Sequence, residues 1–180
     1  MAEVQTPFKI LQDIAKRSKQ HAAGLPAQVE VKAHWSGVGF RIGEQHFVAP
    51  MEEVAEILPV PNYTQLPGVK PWVKGIANVR GRLIPIMDLP DFLGDRLSST
   101  RKMRRILVVE YSETVSGLVV DEVLGMQHFA IDGFMNQIPR ETPESLQSFL
   151  TGSYERDDEL WLVFSLFALA EHPDFFQVAV

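Results

Sequence analysis

The chain has 180 residues, 46% of them apolar, with 17 basic and 23 acidic side chains and a formal charge of −6. That length suits one well-cored domain or two small lobes sharing a core, and the acidic balance weighs against nonspecific nucleic-acid binding. The sequence has no cysteine, which excludes disulfides, thiol chemistry and Cys-based zinc sites.

Residues 6–22 predict a helix. Thr6 can cap it and Pro7 suits its first position. Phe8, Leu11 and Ala15 fall at helical spacing with Ile10 and Ile14 beside them, while Lys9, Lys16, Arg17 and Lys19 supply a basic face. Such a helix packs on its domain or faces a partner or a membrane. Residues 22–33 read as a linker broken by Gly24 and Pro26.

From Trp35 the pattern is mostly β. Phe40 and Ile42 alternate up to a Gly43-Glu44 turn, and Gln45 to Ala49 returns. Residues 51–60 predict a helical turn and then a strand. Residues 66–89 hold two apolar runs joined at Asn78-Val79-Arg80-Gly81, a hairpin in which Gly81 takes a positive φ. Alternation puts Ile76, Asn78 and Arg80 on one face and Ala77 and Val79 on the other. Pro85 cannot donate a ladder hydrogen bond, so its strand is expected at an edge or bent. Asp88 to Gly94 reads as one capped helical turn with a glycine stop.

Strands are predicted over 106–111, 116–120, 123–129 and 160–164, the last after an acidic turn at 155–159. Helical segments are expected over 132–138 and 144–149. Ser165 can cap a terminal helix that Pro173 and Asp174 interrupt or restart. Clusters of short strands around a central helix suggest two small barrels packed together. No strands alternate with long helices, which argues against a dinucleotide-binding fold.

Catalytic constellations find no positive support. His21, His34, His46, His128 and His172 lack the i, i+3 or i, i+4 partners of a helical metal motif. Gly37-Val38-Gly39 lacks the third glycine and following helix of a phosphate loop. Arg96, Arg101, Lys102, Arg104 and Arg105 form one basic cluster without interleaved aromatics, better suited to a solvated loop or a protein contact than to nucleic acid. Asp88 fits a helix cap better than a catalytic acid. Trp72 can be an interface anchor or a core residue. The run Leu160 to Ala170 is too short to span a bilayer, and the N-terminus lacks a signal-peptide core. A cytoplasmic protein is expected.

The order Val73 to Leu89 resembles the signature of the CheW family of bacterial chemosensory adaptors. Phe40-Arg41-Ile42-Gly43, Val54-Ala55-Glu56-Ile57, Gly117 to Val123, and Leu150-Thr151-Gly152 with Leu160 to Phe164 extend the resemblance over residues 40–170. The helical extension and Trp35 to Phe40 are most similar to the family's adaptors of type IV pilus twitching motility.

The resemblance implies two five-stranded SH3-like barrels on a shared core over residues 35–174, preceded by a helical extension and linker over 1–34. It implies a non-enzymatic adaptor without cofactor or metal. Its partners would be the regulatory domain of a CheA-type histidine kinase and the cytoplasmic tip of a methyl-accepting receptor, with no nucleic acid and no direct membrane insertion. The protein would be a monomer outside the receptor array and reach the array through its partners. The implied protein-binding residues are Glu56, Ile57, Leu58, Asn78, Val79, Arg80 and Gly81. Ile57, Leu58 and Val79 would meet the kinase through exposed apolar side chains, and Arg80 would pair with Glu56 to serve receptor and kinase coupling. The alternatives are a scaffold of flagellar chemotaxis or another chemosensory pathway, and an enzyme with an unrecognised pocket.

Overall fold

The computed structural model describes residues 7–21, 33–140 and 142–180. These fall into two compact units, residues 1–31 and 32–180. The first contains helix α1 (Pro7–His21). Thr6 and residues 22–32 of the expected linker lie outside the described residues.

The second unit is built from strands β1 (His34–Ile42), β2 (Gln45–Pro50), β3 (Glu56–Pro59), β4 (Val73–Val79) and β5 (Arg82–Asp88), then helix α2 (Leu89–Phe92). Strands β6 (Arg105–Tyr111), β7 (Thr114–Val120) and β8 (Glu122–Ala130) follow, then α3 (Glu144–Gln147), β9 (Leu150–Arg156), β10 (Glu159–Phe164), α4 (Leu166–Glu171) and α5 (Pro173–Phe176). The strands form two five-stranded sheets, ordered β8-β1-β2-β10-β9 and β3-β6-β7-β5-β4.

The two sheets repeat one plan. In each, two antiparallel hairpins meet along a parallel seam, β2 with β10 and β7 with β5. A fifth strand lies outside, β8 on β1 and β3 on β6. Each sheet also closes in the same way. The chain leaving β3 returns to β4 through a Thr64–Ile76 bridge, and the chain leaving β8 returns to β9 through a Met135–Ser153 bridge. Closure needs a residue without Cβ on the receiving strand. A Cβ on Gly75 would lie 2.1 Å from the Thr64 carbonyl oxygen, and one on Gly152 would lie 2.6 Å from that of Met135. The strands β3 to β7 therefore make one SH3-like barrel, inserted between the β1–β2 hairpin and the three remaining strands of the other. The stretch Gly117 to Val123 crosses between the barrels: β7 belongs to the inserted barrel and β8 to the outer one.

Alternation explains the cores. Ala77, Ile84, Ile86, Ile106, Val108 and Val119 fill the inserted barrel, and Val48, Phe129, Tyr154, Trp161 and Val163 fill the outer one. The opposite sides of the same strands, with Phe40, Phe47, Met87, Leu107, Leu118 and Phe164, form the larger core shared between barrels. Helices α2 and α4 follow the equivalent strands β5 and β10. Asp88 caps α2 by accepting from the Asp91 N–H at 3.1 Å, and Ser165 caps α4 by accepting from the Ala168 N–H at 3.1 Å.

Asp121 sits where the chain passes from one barrel to the other and is fully buried. Its carboxylate accepts from the backbone N–H of Gly43, Ser98 and Ser99 at 2.9, 2.8 and 2.7 Å and from the Ser98 hydroxyl at 3.1 Å. Burial pushes this carboxyl up, but the hydrogen bonds outweigh it and hold it below its ordinary value. Glu53 shows the opposite balance. It accepts from the N–H groups of Leu166 and Phe167 and from the Ser165 hydroxyl at the start of α4, yet burial dominates and pushes it up.

Three local expectations need correction. Pro85 lies on β5, which is interior and so not the edge strand offered as one of its two expected settings; the outer strands of that sheet are β3 and β4. Ile76 exchanges its backbone hydrogen bonds with Thr64, so its cross-strand partner Pro85 occupies a non-hydrogen-bonded position and the missing N–H faces away from β4. On the other side, pairing with β7 begins only at Ile86. Residues 132–138 are not a helix: a single turn at Ile131–Gly133 is followed by the extended segment that closes the outer barrel. Arg80 is not on the Ile76 and Asn78 face, because β4 ends at Val79.

Candidate docking site

The tip of the inserted barrel is the β4–β5 hairpin. Val79 pairs with Arg82, leaving Arg80 and Gly81 as a two-residue connection. Both have positive φ, 52° and 85°. This is the combination that matches the strand twist in a type I′ hairpin. Glycine takes it freely, whereas an arginine there carries a Cβ penalty. Asn78 helps to hold the turn, its side-chain oxygen accepting from the Gly81 N–H at 2.8 Å. The β9–β10 connection of the outer barrel uses the same device at Asp157 and Asp158.

Arg80 is thereby aimed across the barrel closure, and its guanidinium forms an ion pair with Glu56 at the start of β3. Glu56 is mostly covered, at 24% side-chain exposure, while Arg80 is 77% exposed. The carboxylate anchors the arginine and leaves most of the guanidinium facing outward. Arg82, beside the turn, pairs with Glu110 at 2.6 Å.

Alternation on β3 and β5 sorts the apolar candidates. Ile57 points outward and is exposed. Leu58 and Val79 are half-buried against the core of the inserted barrel and are not free apolar contacts. Leu83 was not singled out from sequence: period two puts it with Met87 on the side of β5 away from Ile84 and Ile86, and where Met87 is covered by the core shared between barrels, Leu83, opposite Asn78 beside the turn, is 73% exposed. The structure thus brings Glu56 and Arg80 together, uses Asn78 and Gly81 to shape the turn, presents Ile57 and Leu83, and turns Leu58 and Val79 inward.

The other candidates have structural work. Asp88 caps α2 and pairs with Lys74 at 3.1 Å, and Lys74 also meets Asp91 at 3.1 Å. Burial lowers the Lys74 ammonium, but these two carboxylates outweigh it and raise it. Trp72 packs edge-on to Phe92. Arg104 holds the Ser99 carbonyl, and Arg105 holds those of Lys102, Met103 and Arg104. His46 stacks on Trp161, and His128 is hydrogen-bonded to Ser36 at 2.7 Å. Among the described residues, no group of three or more His, Asp or Glu side chains is placed to hold a metal.

The CheW-like domain family matches residues 36–174, more than three quarters of the sequence. The chain belongs to that CheW-like family. Among its CheW-like relatives, Protein PilI of Pseudomonas aeruginosa is 58% identical over the full length of both chains. The chemotaxis protein CheW of Helicobacter pylori is 28% identical over 63% of this chain and 68% of its own. The solved structure of the scaffolding protein TtCheW from Thermoanaerobacter tengcongensis superposes with a TM-score of 0.68 at 24% identity, covering 81% of this chain and 97% of that one. At that identity the likeness is one of fold, and it agrees with the paired SH3-like barrels. The match to PilI also spans residues 1–35, which the CheW-like domain does not include.

Proposed function

We propose that the protein is a non-enzymatic adaptor that couples a methyl-accepting chemoreceptor to a CheA-type histidine kinase, in the control of type IV pili and twitching motility. The observation that carries this reading is Arg80. An arginine stands in a backbone conformation better suited to glycine, tied to Glu56 and mostly exposed. The turn itself does not require a guanidinium there, since it is already held by Asn78. Backbone strain retained at an exposed, oriented side chain is a mark of recognition.

In this reading Ile57 and Leu83 supply the apolar contact with the kinase regulatory domain, and Arg80 sets its orientation. The pilus assignment draws on the full-length likeness to PilI. Pull-downs with the kinase regulatory domain and the receptor tip, tested separately, decide it. The adaptor reading expects stoichiometric capture of each, and failure to capture the kinase domain overturns it.

A further inference from the structure

Helix α1 separates its side chains into two halves. At 3.6 residues per turn, Ile10, Ile14, Leu11, Ala15 and Phe8 fall in one sector about 160° wide, shared with Pro7 and interrupted by Ser18. Lys9, Lys16, Arg17 and Lys19 all fall in the opposite sector. The one acidic residue there, Asp13, is paired with Arg17 at 2.7 Å. Phe8, Leu11 and Ile14 are 69%, 65% and 57% exposed.

We propose that α1 lies in the plane of an anionic lipid surface, with its apolar half in the headgroup–acyl boundary and its lysines toward the headgroups. Phe8, Leu11 and Ala15 stand at the i, i+3, i+7 spacing of a helix docked in a protein groove, and Ile10 and Ile14 widen the apolar side well beyond that stripe. Here the apolar sector covers almost half the circumference, the shape of an interfacial helix. The charge distribution points to an anionic surface. Four basic residues against one acid give the helix +3, so the rest of the chain carries −9 where the whole carries −6. Only the extension is attracted to such a surface, while the barrels are repelled from it. Among the described residues no helix is long and apolar enough to cross a membrane, so the association is peripheral. The extension lies outside the CheW-like domain, and this inference is independent of kinase binding.

The test is co-sedimentation of the full chain with vesicles of phosphatidylcholine alone or mixed with phosphatidylglycerol. The mixed vesicles should bind about tenfold more tightly or better, and high salt should remove that preference. Leu11→Asp and the double variant Lys16→Glu/Lys19→Glu should each lower the binding about tenfold or more. Both should leave the thermal unfolding of the barrels unchanged. Absence of preference for anionic vesicles, binding undiminished in these variants, or a lowered unfolding temperature in Leu11→Asp would each overturn the proposal. The last result would place the apolar half against the protein instead.

Discussion

Replacing Arg80 with glycine separates what the turn needs from what a partner needs. In the structure Arg80 has φ 52° and pairs with a Glu56 carboxylate at 24% exposure. Removing the side chain loses a pair that is exposed on its arginine side, worth about 0–1 kcal/mol. It also relieves a left-handed conformation that costs a residue with a Cβ about 1–2 kcal/mol. Glycine's extra freedom in the unfolded chain takes back about 0.5–1 kcal/mol. The net change is within about 1 kcal/mol, or about 2–4 °C in unfolding temperature for a chain of this size. A domain with about 5–15 kcal/mol of stability remains folded after such a change. An arginine anchor at a binding interface, by contrast, is worth about 2 kcal/mol or more, about a 30-fold loss in affinity.

Calorimetric melting and titration against the kinase regulatory domain therefore give different answers if Arg80 serves docking. We expect Arg80→Gly to melt close to wild type and bind at least about 30-fold more weakly. Arg80→Ala, which keeps the backbone strain and loses the pair, should melt slightly lower than Arg80→Gly and bind as poorly. Wild-type affinity in a folded Arg80→Gly protein would remove Arg80 from the docking surface, and loss of cooperative melting would assign Arg80 to the fold.

Four further outcomes are expected. Ile57→Asp and Leu83→Asp, both on outward faces, should weaken kinase binding by about 2 kcal/mol with little change in melting, whereas Leu58→Asp and Val79→Asp should lower stability because these side chains pack on the inserted barrel's core; equal melting of all four variants would contradict that division. Exchanging the charges, Glu56→Arg with Arg80→Glu, should recover part of the coupling lost in either single variant, and a double variant no better than the singles would show that the contact is not used. Asp121→Asn should cost about 1–3 kcal/mol, since several partly buried donors lose a charged acceptor; because the Asp121 pKa is depressed in the fold, its contribution is present above the ordinary carboxylate value of about 4 and is lost as pH falls through the lower folded value, so melting of the Asn variant should fall less steeply in that acid range. Deleting residues 1–34 should leave the barrels' cooperative unfolding intact, as calorimetry can show; loss of cooperativity would place the extension in the core.

Much of the fold was legible because its signals are local. Asp88, Gly94 and Ser165 mark helix ends that the structure has, and the alternation of Phe40 and Ile42 marks a strand that it has. The barrel interleaving was not legible. The assignment of β7 and β8 to different barrels depends on two parallel seams between strands distant in sequence, which no local pattern encodes. Residues 132–138 misled for a related reason: their role is to bridge to Ser153, and that long-range pairing overrides a weak helical spacing. At the docking site, Arg80 and Glu56 could be paired only through the family resemblance, because they meet across a barrel closure. Alternation separates Leu83 from Ile84 and Ile86, but Met87 on the same side is buried in the shared core, so the exposure of Leu83 depends on where that core ends, which the local pattern does not encode.

The proposed function is coupling of receptor to kinase by binding. Its most direct test is kinase autophosphorylation in a reconstitution of receptor, kinase and this protein, compared with the same mixture lacking it or holding folded Arg80→Gly. Receptor control is expected only with the wild-type protein. Receptor control that persists without the protein, or is unchanged with Arg80→Gly, would contradict it.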